Sequence, residues 1–288
     1  MFRRYYHLTK PGIVYGNALT VIAGFSLATT VVPASVAAFV GVLAGTSLVI
    51  ASACVINNII DRRLDVNMER TRTRSLVTGE ILVPSAVIFG VTLGLIGFTL
   101  LIGLTNWLTF FLGLIAYFFY IVVYGIAKRK SEHGTLVGSI SGALPPVAGY
   151  TALTNRFDIG MIALFVILVF WQMAHFYAIA IYRQKEYKAA GVPILTVVRG
   201  TRPAMTQMTV YVFGFWLASL DLVVAGFTHL AYAIVMTAVS AVWFVMCLRA
   251  FRYKEGAALN KYARRLFFIS LIVNLVMCTM IAFGGYLP

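Results

Sequence analysis

The residues best suited to chemistry lie in 57–74, NNIIDRRLDVNMERTRTR, where an apolar run gives way to acids and bases. Asn57, Asp61, Asp65 and Glu69 recur every four residues, and in a continuous helix each is turned only about 40° from the last. They then share one face. A row of oxygen donors with no lysine among them repels itself until a cation joins it, and hard oxygen donors suit Mg2+. Magnesium held by one or two carboxylates keeps positions for substrate phosphate oxygens. Arg62, Arg63, Arg70, Arg72 and Arg74 lie alongside and can grip phosphate in bidentate fashion. A plainer reading fits the same residues: a helix end at the membrane surface whose acids and bases pair at i,i+4.

Two more stretches carry reactive side chains. In YGIAKRK, Tyr124 and Lys128 are four apart, so the lysine reaches a phosphate from the face that carries the ring. An interfacial aromatic beside a snorkelling lysine gives the same pattern. In WQMAHFYAIAIYRQKEYKAAGVP, Trp171, Gln172, His175 and Phe176 fall inside an apolar run that ends in Tyr182, Arg183, Lys185, Glu186, Tyr187 and Lys188. Gln172 and His175 share a face, and polar groups at such depth line a cavity or meet a neighbouring helix. A lone intramembrane histidine is more often a hydrogen-bonded packing residue than a metal ligand. Asp221 and Asn274 read as buried polar groups, and a buried Asp221 needs a partner or a proton. With 21 Phe and 15 Tyr in the chain, an aromatic-lined cavity can shelter a carbocation and accept a flat ring and a long apolar chain alike.

The elements that position these groups must cross a membrane. Hydrophobic residues make up 61% of the 288, mean hydropathy is +0.90 and only 11% are charged, against roughly a quarter in soluble domains. Runs long enough to span a bilayer occur at 13–31, 35–58, 84–104, 106–126, 135–153, 158–182, 206–226, 229–249 and 265–286. The expectation is an all-α, polytopic membrane protein of nine helices in one membrane-embedded domain, 1–288. Short breaks at 103–106 and 226–229 predict tight antiparallel hairpins. Pro145 and Pro146 predict a kink in the fifth span, whose glycines imply close helix contact.

A net charge of +14 raises the question of nucleic acid, which needs the basic residues on one folded surface. Here they are spread through membrane loops: 22 of the 23 Lys and Arg fall on one side, with only Arg156 opposite. That excludes a nucleic-acid partner. By the positive-inside rule the N-terminus and every long loop are cytoplasmic and the C-terminus is outside. The same rule accounts for basic residues without any phosphate. Cys54, Cys247 and Cys278 sit in apolar runs with no C-x-x-C spacing, as packing residues do. The first ten residues are too short for a transit peptide and the first apolar run has no cleavage site, so it reads as retained.

Taken together, these motifs resemble the UbiA-type intramembrane prenyltransferases, and within them the protohaem IX farnesyltransferase branch. The resemblance rests on TKPGIVYGN (9–17), N-x-x-x-D-x-x-x-D (57–65) with MERTRTR (68–74), YGIAKR (124–129), SGALPP (141–146), WQMAHF (171–176) and EYKAAGVPIL (186–195). Motifs cover residues 9 to about 202, and the rest follows by span number. The first aspartate motif alone indicates a prenyltransferase; WQ-x-x-HF with EY-x-x-AG-x-P is far more specific to the haem branch.

The resemblance implies nine helices around a central cavity capped by cytoplasmic loops in a bacterial inner membrane. It implies farnesyl diphosphate as donor, haem b as acceptor and Mg2+ as cofactor. Asn57, Asp61 and Asp65 become the metal and catalytic residues with Lys128. Arg70, Arg74, Lys128, Arg183 and Lys185 become diphosphate partners, and Tyr124, Trp171, Gln172, His175 and Tyr182 contact haem or the cavity. Contact with a terminal oxidase assembly or another haem-modifying enzyme is open to such a protein. The branch often has proline where Ala174 and Thr196 stand here, so helix six is expected straighter. It also lacks the second aspartate-rich motif of other branches: Tyr182, Arg183, Lys185 and Glu186 occupy that helix end, which implies direct cationic binding on that half. Two rivals remain, a prenyltransferase acting on 4-hydroxybenzoate or a quinone precursor, and a transporter with His175, Gln172 and Asp221 along its path.

Overall fold

The computed structural model describes residues 1–284, and every regular element among them is helical. The chain opens with the short α1 (Phe2–Leu8), followed by α2 (Pro11–Ala28) and the long α3 (Val36–Asp65). A loop over 66–82 leads to α4 (Val83–Leu104); α5 (Trp107–Phe118) then passes through a π-helical turn (Phe119–Val123) into α6 (Tyr124–Lys130). Next come α7 (Gly134–Gly142), α8 (Leu144–Thr154) and α9 (Ile159–Tyr182). The short α10 (Gln184–Ala189) and α11 (Leu195–Val198) occupy a second long loop before α12 (Thr201–Val224), α13 (Leu230–Ala250) and α14 (Ala257–Gly284).

Nine stretches among the described residues are long and apolar enough to cross a bilayer, one built from α5 to α6 and one from α7 with α8. That matches the expected span count and both tight hairpins. The last span starts earlier than hydropathy predicts, at Ala257, because polar helix ends project past the apolar slab. Its expected final residues, 285 and 286, lie outside the described ones. The predicted kink falls at Ala143, which separates α7 from α8. Pro145 and Pro146 then sit in the first turn of α8, where a missing N–H costs nothing.

Small residues let these helices approach without a strong apolar drive between them. On α2, a Cβ at Gly24 would strike the carbonyl of Pro146, and one at Gly149 of α8 would strike the carbonyl of Val21. The backbones of α2 and α8 therefore touch. α3 and α4 pack the same way: a Cβ at Gly97 would press on the Gly45 carbonyl, and Ser52 Oγ donates to the Gly90 carbonyl at 2.7 Å. The largest apolar core joins α8, α9, α12, α13 and α14, with Trp243, Phe215 and Tyr232 fully buried in it. The three cysteines are buried and free, as expected of packing residues.

Two expectations do not hold, one from spacing and one from hydropathy. α3 ends at Asp65, so Glu69 leaves the acidic row and is exposed in the loop. There Thr71 Oγ1 donates to the Asp65 carbonyl at 3.1 Å, capping one of the free carbonyls of a helix terminus. Asp221 is also exposed, in the last turn of α12, where a carboxylate stays hydrated without a partner. Asn274 is buried, as predicted.

Candidate active site

Asn57, Asp61 and Asp65 lie on one face of the last turns of α3, at 3%, 8% and 5% exposure. Each meets a cation from a different element. Lys10, at the junction of α1 and α2, donates from Nζ to Asn57 Oδ1 at 2.8 Å. Lys128 of α6 bonds Asp61 Oδ2, while Arg129 Nη2 donates to Asp61 Oδ1 at 2.9 Å and to the Ile60 carbonyl at 3.0 Å. Arg74, carried back by the 66–82 loop, donates to Asp65 Oδ2 at 2.7 Å. Asp61 and Asp65 are more buried than the cations that meet them, so removing a cation leaves a buried carboxylate less compensated, which is costly.

Three of these contacts were not read from the sequence. Lys10 counted only as a loop charge, yet it stands at the N-terminal end of α2 with a left-handed backbone at φ 52°. Burial pulls its ammonium down to about 8. Lysine only donates, so the amide oxygen of Asn57 must face it. Asn57 Nδ2 is then turned away, buried and without a partner. The second contact is Asn58, which accepts from Arg74 Nη1 at 3.1 Å and donates to the Leu8 carbonyl at 2.9 Å. It ties the end of α1 to the arginine that holds Asp65. The third is Arg129, whose only signal was its place beside Lys128.

Tyr124 and Lys128 do share a face, with Nζ 5.2 Å from the ring centroid, and Tyr120 stacks on Tyr124 at 5.7 Å. The π-helical turn before them carries an i→i+5 bonding pattern. It joins α5 to α6, the helix from which Lys128 meets Asp61. Arg62, Arg63, Arg70 and Arg72 are exposed. Arg70 and Arg183 both act on Tyr187, whose phenol burial pushes up while their charges pull it down. Here the two long loops meet, with Met68 packed on Ala190 and Val192. Glu132 and Arg199 clasp the loop after α6 to the region of α11.

The end of α9 is built differently. Arg183 pairs locally with Glu186 at 2.9 Å and lies over the Tyr182 ring at 5.2 Å. Lys185 is exposed. From Tyr182 an aromatic row runs into the membrane: Tyr182 to Phe267 at 6.0 Å, Phe267 to His175 at 4.8 Å, and His175 to Trp171 at 5.0 Å, stacked. His175 Nδ1 lies 2.7 Å from Ser270 Oγ, and Trp171 Nε1 donates to the Ser270 carbonyl at 2.7 Å. Gln172 fits against Gly142, where any Cβ would strike Gln172 Oε1, and its buried Nε2 has no partner.

The donor set fits a divalent cation that arrives with its ligand. Asp61 and Asp65 are hard donors on one face, and an amide oxygen completes the row. Among the described residues no group of three or more His, Cys, Asp or Glu side chains could hold a metal by itself. Phosphate oxygens would have to complete the sphere, as they commonly do for Mg2+.

Nine candidate membrane spans among the described residues thus form one helical bundle with buried carboxylates and cations gathered at one mouth. Its fold matches a structure of digeranylgeranylglyceryl phosphate synthase at TM-score 0.80, with 17% identity and 98% of each chain covered. It also matches a UbiA homolog from Archaeoglobus fulgidus bound to GPP and Mg2+ at TM-score 0.71, with 16% identity over 97% of this chain and 99% of that one. The chain belongs to the UbiA prenyltransferase family, whose model matches residues 17–272. It is 43% identical over 279 residues to protoheme IX farnesyltransferase 2 of Pseudomonas putida (strain GB-1), covering 96% of this chain and 93% of that protein. Identity to protoheme IX farnesyltransferase of Serratia proteamaculans (strain 568) is 42% over 283 residues, covering 98% and 94%.

Proposed function

We propose that this protein transfers the farnesyl group of farnesyl diphosphate to a vinyl group of haem b, giving haem o and diphosphate. One observation carries the placement of the chemistry. Around Asn57, Asp61 and Asp65 stand four cations, Lys10 on the Asn57 amide, Arg74 on Asp65, and Lys128 with Arg129 on Asp61, against only two carboxylates, so the cluster has two positive charges in surplus. Such a site is complete only with an anion in it. Asn57 Nδ2, an orphaned donor at its centre, supplies one hydrogen bond to an anionic oxygen.

Asn57, Asp61 and Asp65 are the residues that would hold Mg2+, which neutralises charge on the leaving diphosphate. The three donors are matched to protein cations in this state, and those cations become the phosphate partners when the diphosphate enters. Lys128, Arg74 and Lys10 grip it, while Arg70, Arg183 and Lys185 at the mouth draw it in. As the C1–O bond breaks, its electron pair leaves with diphosphate, and the fixed positive cluster stabilises that charge. The terminal vinyl carbon bonds C1, and the cation passes to the carbon next to the porphyrin. Water adds there and loses a proton to solvent. Tyr124 and the aromatic row of Trp171, His175 and Tyr182 face the organic substrates, and Gln172 supplies a polar contact among them.

The bundle lies in the bacterial cytoplasmic membrane with its basic mouth and N-terminus inside, in keeping with the one-sided distribution of Lys and Arg. Release of haem o to a terminal oxidase assembly or a haem-modifying enzyme is the partner contact this reading implies. The test is to incubate purified protein with haem b, farnesyl diphosphate and Mg2+ and to look by mass for haem o. Product from 4-hydroxybenzoate in place of haem would overturn the acceptor assignment.

A further inference from the structure

We infer that His175 binds the iron of the substrate haem through Nε2, and that Ser270 holds it in the tautomer that permits this. The inference rests on haem b being the acceptor and adds how it is held.

The argument turns on where one proton goes. A serine hydroxyl has a single hydrogen. Ser270 Oγ lies 2.6 Å from the Phe267 carbonyl oxygen, a distance that two oxygens keep only with a proton between them. The hydroxyl proton is therefore committed to Phe267. His175 Nδ1, 2.7 Å from the same Oγ, must then be the donor. With Nδ1 protonated in a neutral ring, Nε2 carries a bare lone pair. That is the nitrogen a metal binds, and metal-binding histidines ordinarily donate their other N–H to a fixed acceptor.

The ring is also fixed in orientation. Trp171 stacks on it at an interplanar angle of 23°, and Phe267 packs on it tilted by 40°. Trp171 is held in turn, because its Nε1 donates to the carbonyl of Ser270. Ser270 thus orients the imidazole twice, through its hydroxyl and through Trp171. Among the described residues nothing hydrogen-bonds to Nε2. Packing alone needs an aromatic ring here but does not need a committed tautomer with its second nitrogen bare.

A separate observation points to a ligand at this depth. Gln172, on the same face and one turn away, is buried with Nε2 unsatisfied, and Gly142 leaves the room that its amide occupies. A buried donor without a partner costs about 1–3 kcal/mol, so a polar group of a bound molecule is expected to reach it. Anchoring the macrocycle through its metal sets the porphyrin at a fixed distance from α9. The vinyl carbon then meets the farnesyl C1 without a specific contact to the vinyl group itself.

The test is spectroscopic and compares acceptors. Ferrous haem b on the intact protein should show an iron–histidine stretch by resonance Raman. His175→Ala should lose it, bind haem at least about tenfold more weakly, and regain an imidazole-ligated spectrum when free imidazole is added. Ser270→Ala should keep the stretch but shift it, with binding weaker by about tenfold. In the unmodified protein, metal-free protoporphyrin IX should show a KM about tenfold above that of haem b, a comparison that needs no variant to fold. Identical haem spectra with and without His175, or equal KM for haem b and the metal-free porphyrin, would overturn the inference while haem o formation left the acceptor assignment standing. No haem o from the unmodified protein would instead sink the reading on which it rests.

Discussion

α3 and α9 end on the same side of the bundle and each leads into a long basic loop, yet the two ends handle charge differently. At the end of α3 two carboxylates are buried and every partner is brought from another element: Lys128 and Arg129 across the bundle, Arg74 by a returning loop. At the end of α9 the one acid, Glu186, is paired by Arg183 only three residues away, and Lys185 is left in solvent. The first end is expensive to build and holds its groups before any ligand arrives. The second is an ordinary helix terminus that adds positive field. Under the proposed function, the carboxylate end would hold the metal and the other end would add only positive charge for the diphosphate.

The largest effect should come from Asp61→Asn, which keeps shape and an acceptor but removes the charge. Haem o formation should fall about 100- to 1,000-fold with protein level and haem spectrum retained, measured by mass on purified protein. An equal loss in Arg183→Ala would erase the contrast between the two ends. Removing divalent cation with chelator should stop turnover to a similar degree, and Mg2+ should restore it. Undiminished turnover in chelator would show that the acids serve only their arginines.

Smaller effects sharpen the picture. Lys10→Met should raise KM for farnesyl diphosphate about tenfold while changing kcat less, because the lysine meets the anion before and during reaction. Asn58→Ala, which frees Arg74 from the end of α1, should cost about tenfold in kcat/KM. Smallest of all, Lys185→Ala should change kcat/KM by less than about threefold, and the change should vanish in high salt as a screened surface charge does.

Much of this site was legible in the sequence because its core is local. Four-residue spacing fixes a helix face, so Asn57, Asp61 and Asp65 were bound to coincide wherever the helix lasted, and Tyr124 with Lys128 likewise. Glu69 failed the same argument because the helix ends at Asp65, where Thr71 Oγ1 takes up the terminal carbonyl. Asp221 looked buried because hydropathy reports the depth of a span and not the facing of one residue near its end. Lys10, Asn58 and Ser270 were not legible as functional groups. Ser270 lies 95 residues from His175, and no periodicity relates residues on different helices.

By itself the sequence determined that this chain crosses a membrane nine times, which side is basic, where a helix must bend at paired prolines, and that three oxygen donors share one helical face. These follow from the period of the helix and from what a bilayer excludes. Only the tertiary structure decided which cations meet those donors, that Ser270 stands beside Nδ1 of His175, and that the second long loop packs against the first. Each of those depends on groups far apart in the chain arriving at one point, and in a membrane their meeting is set by how closely glycine-lined helices pack.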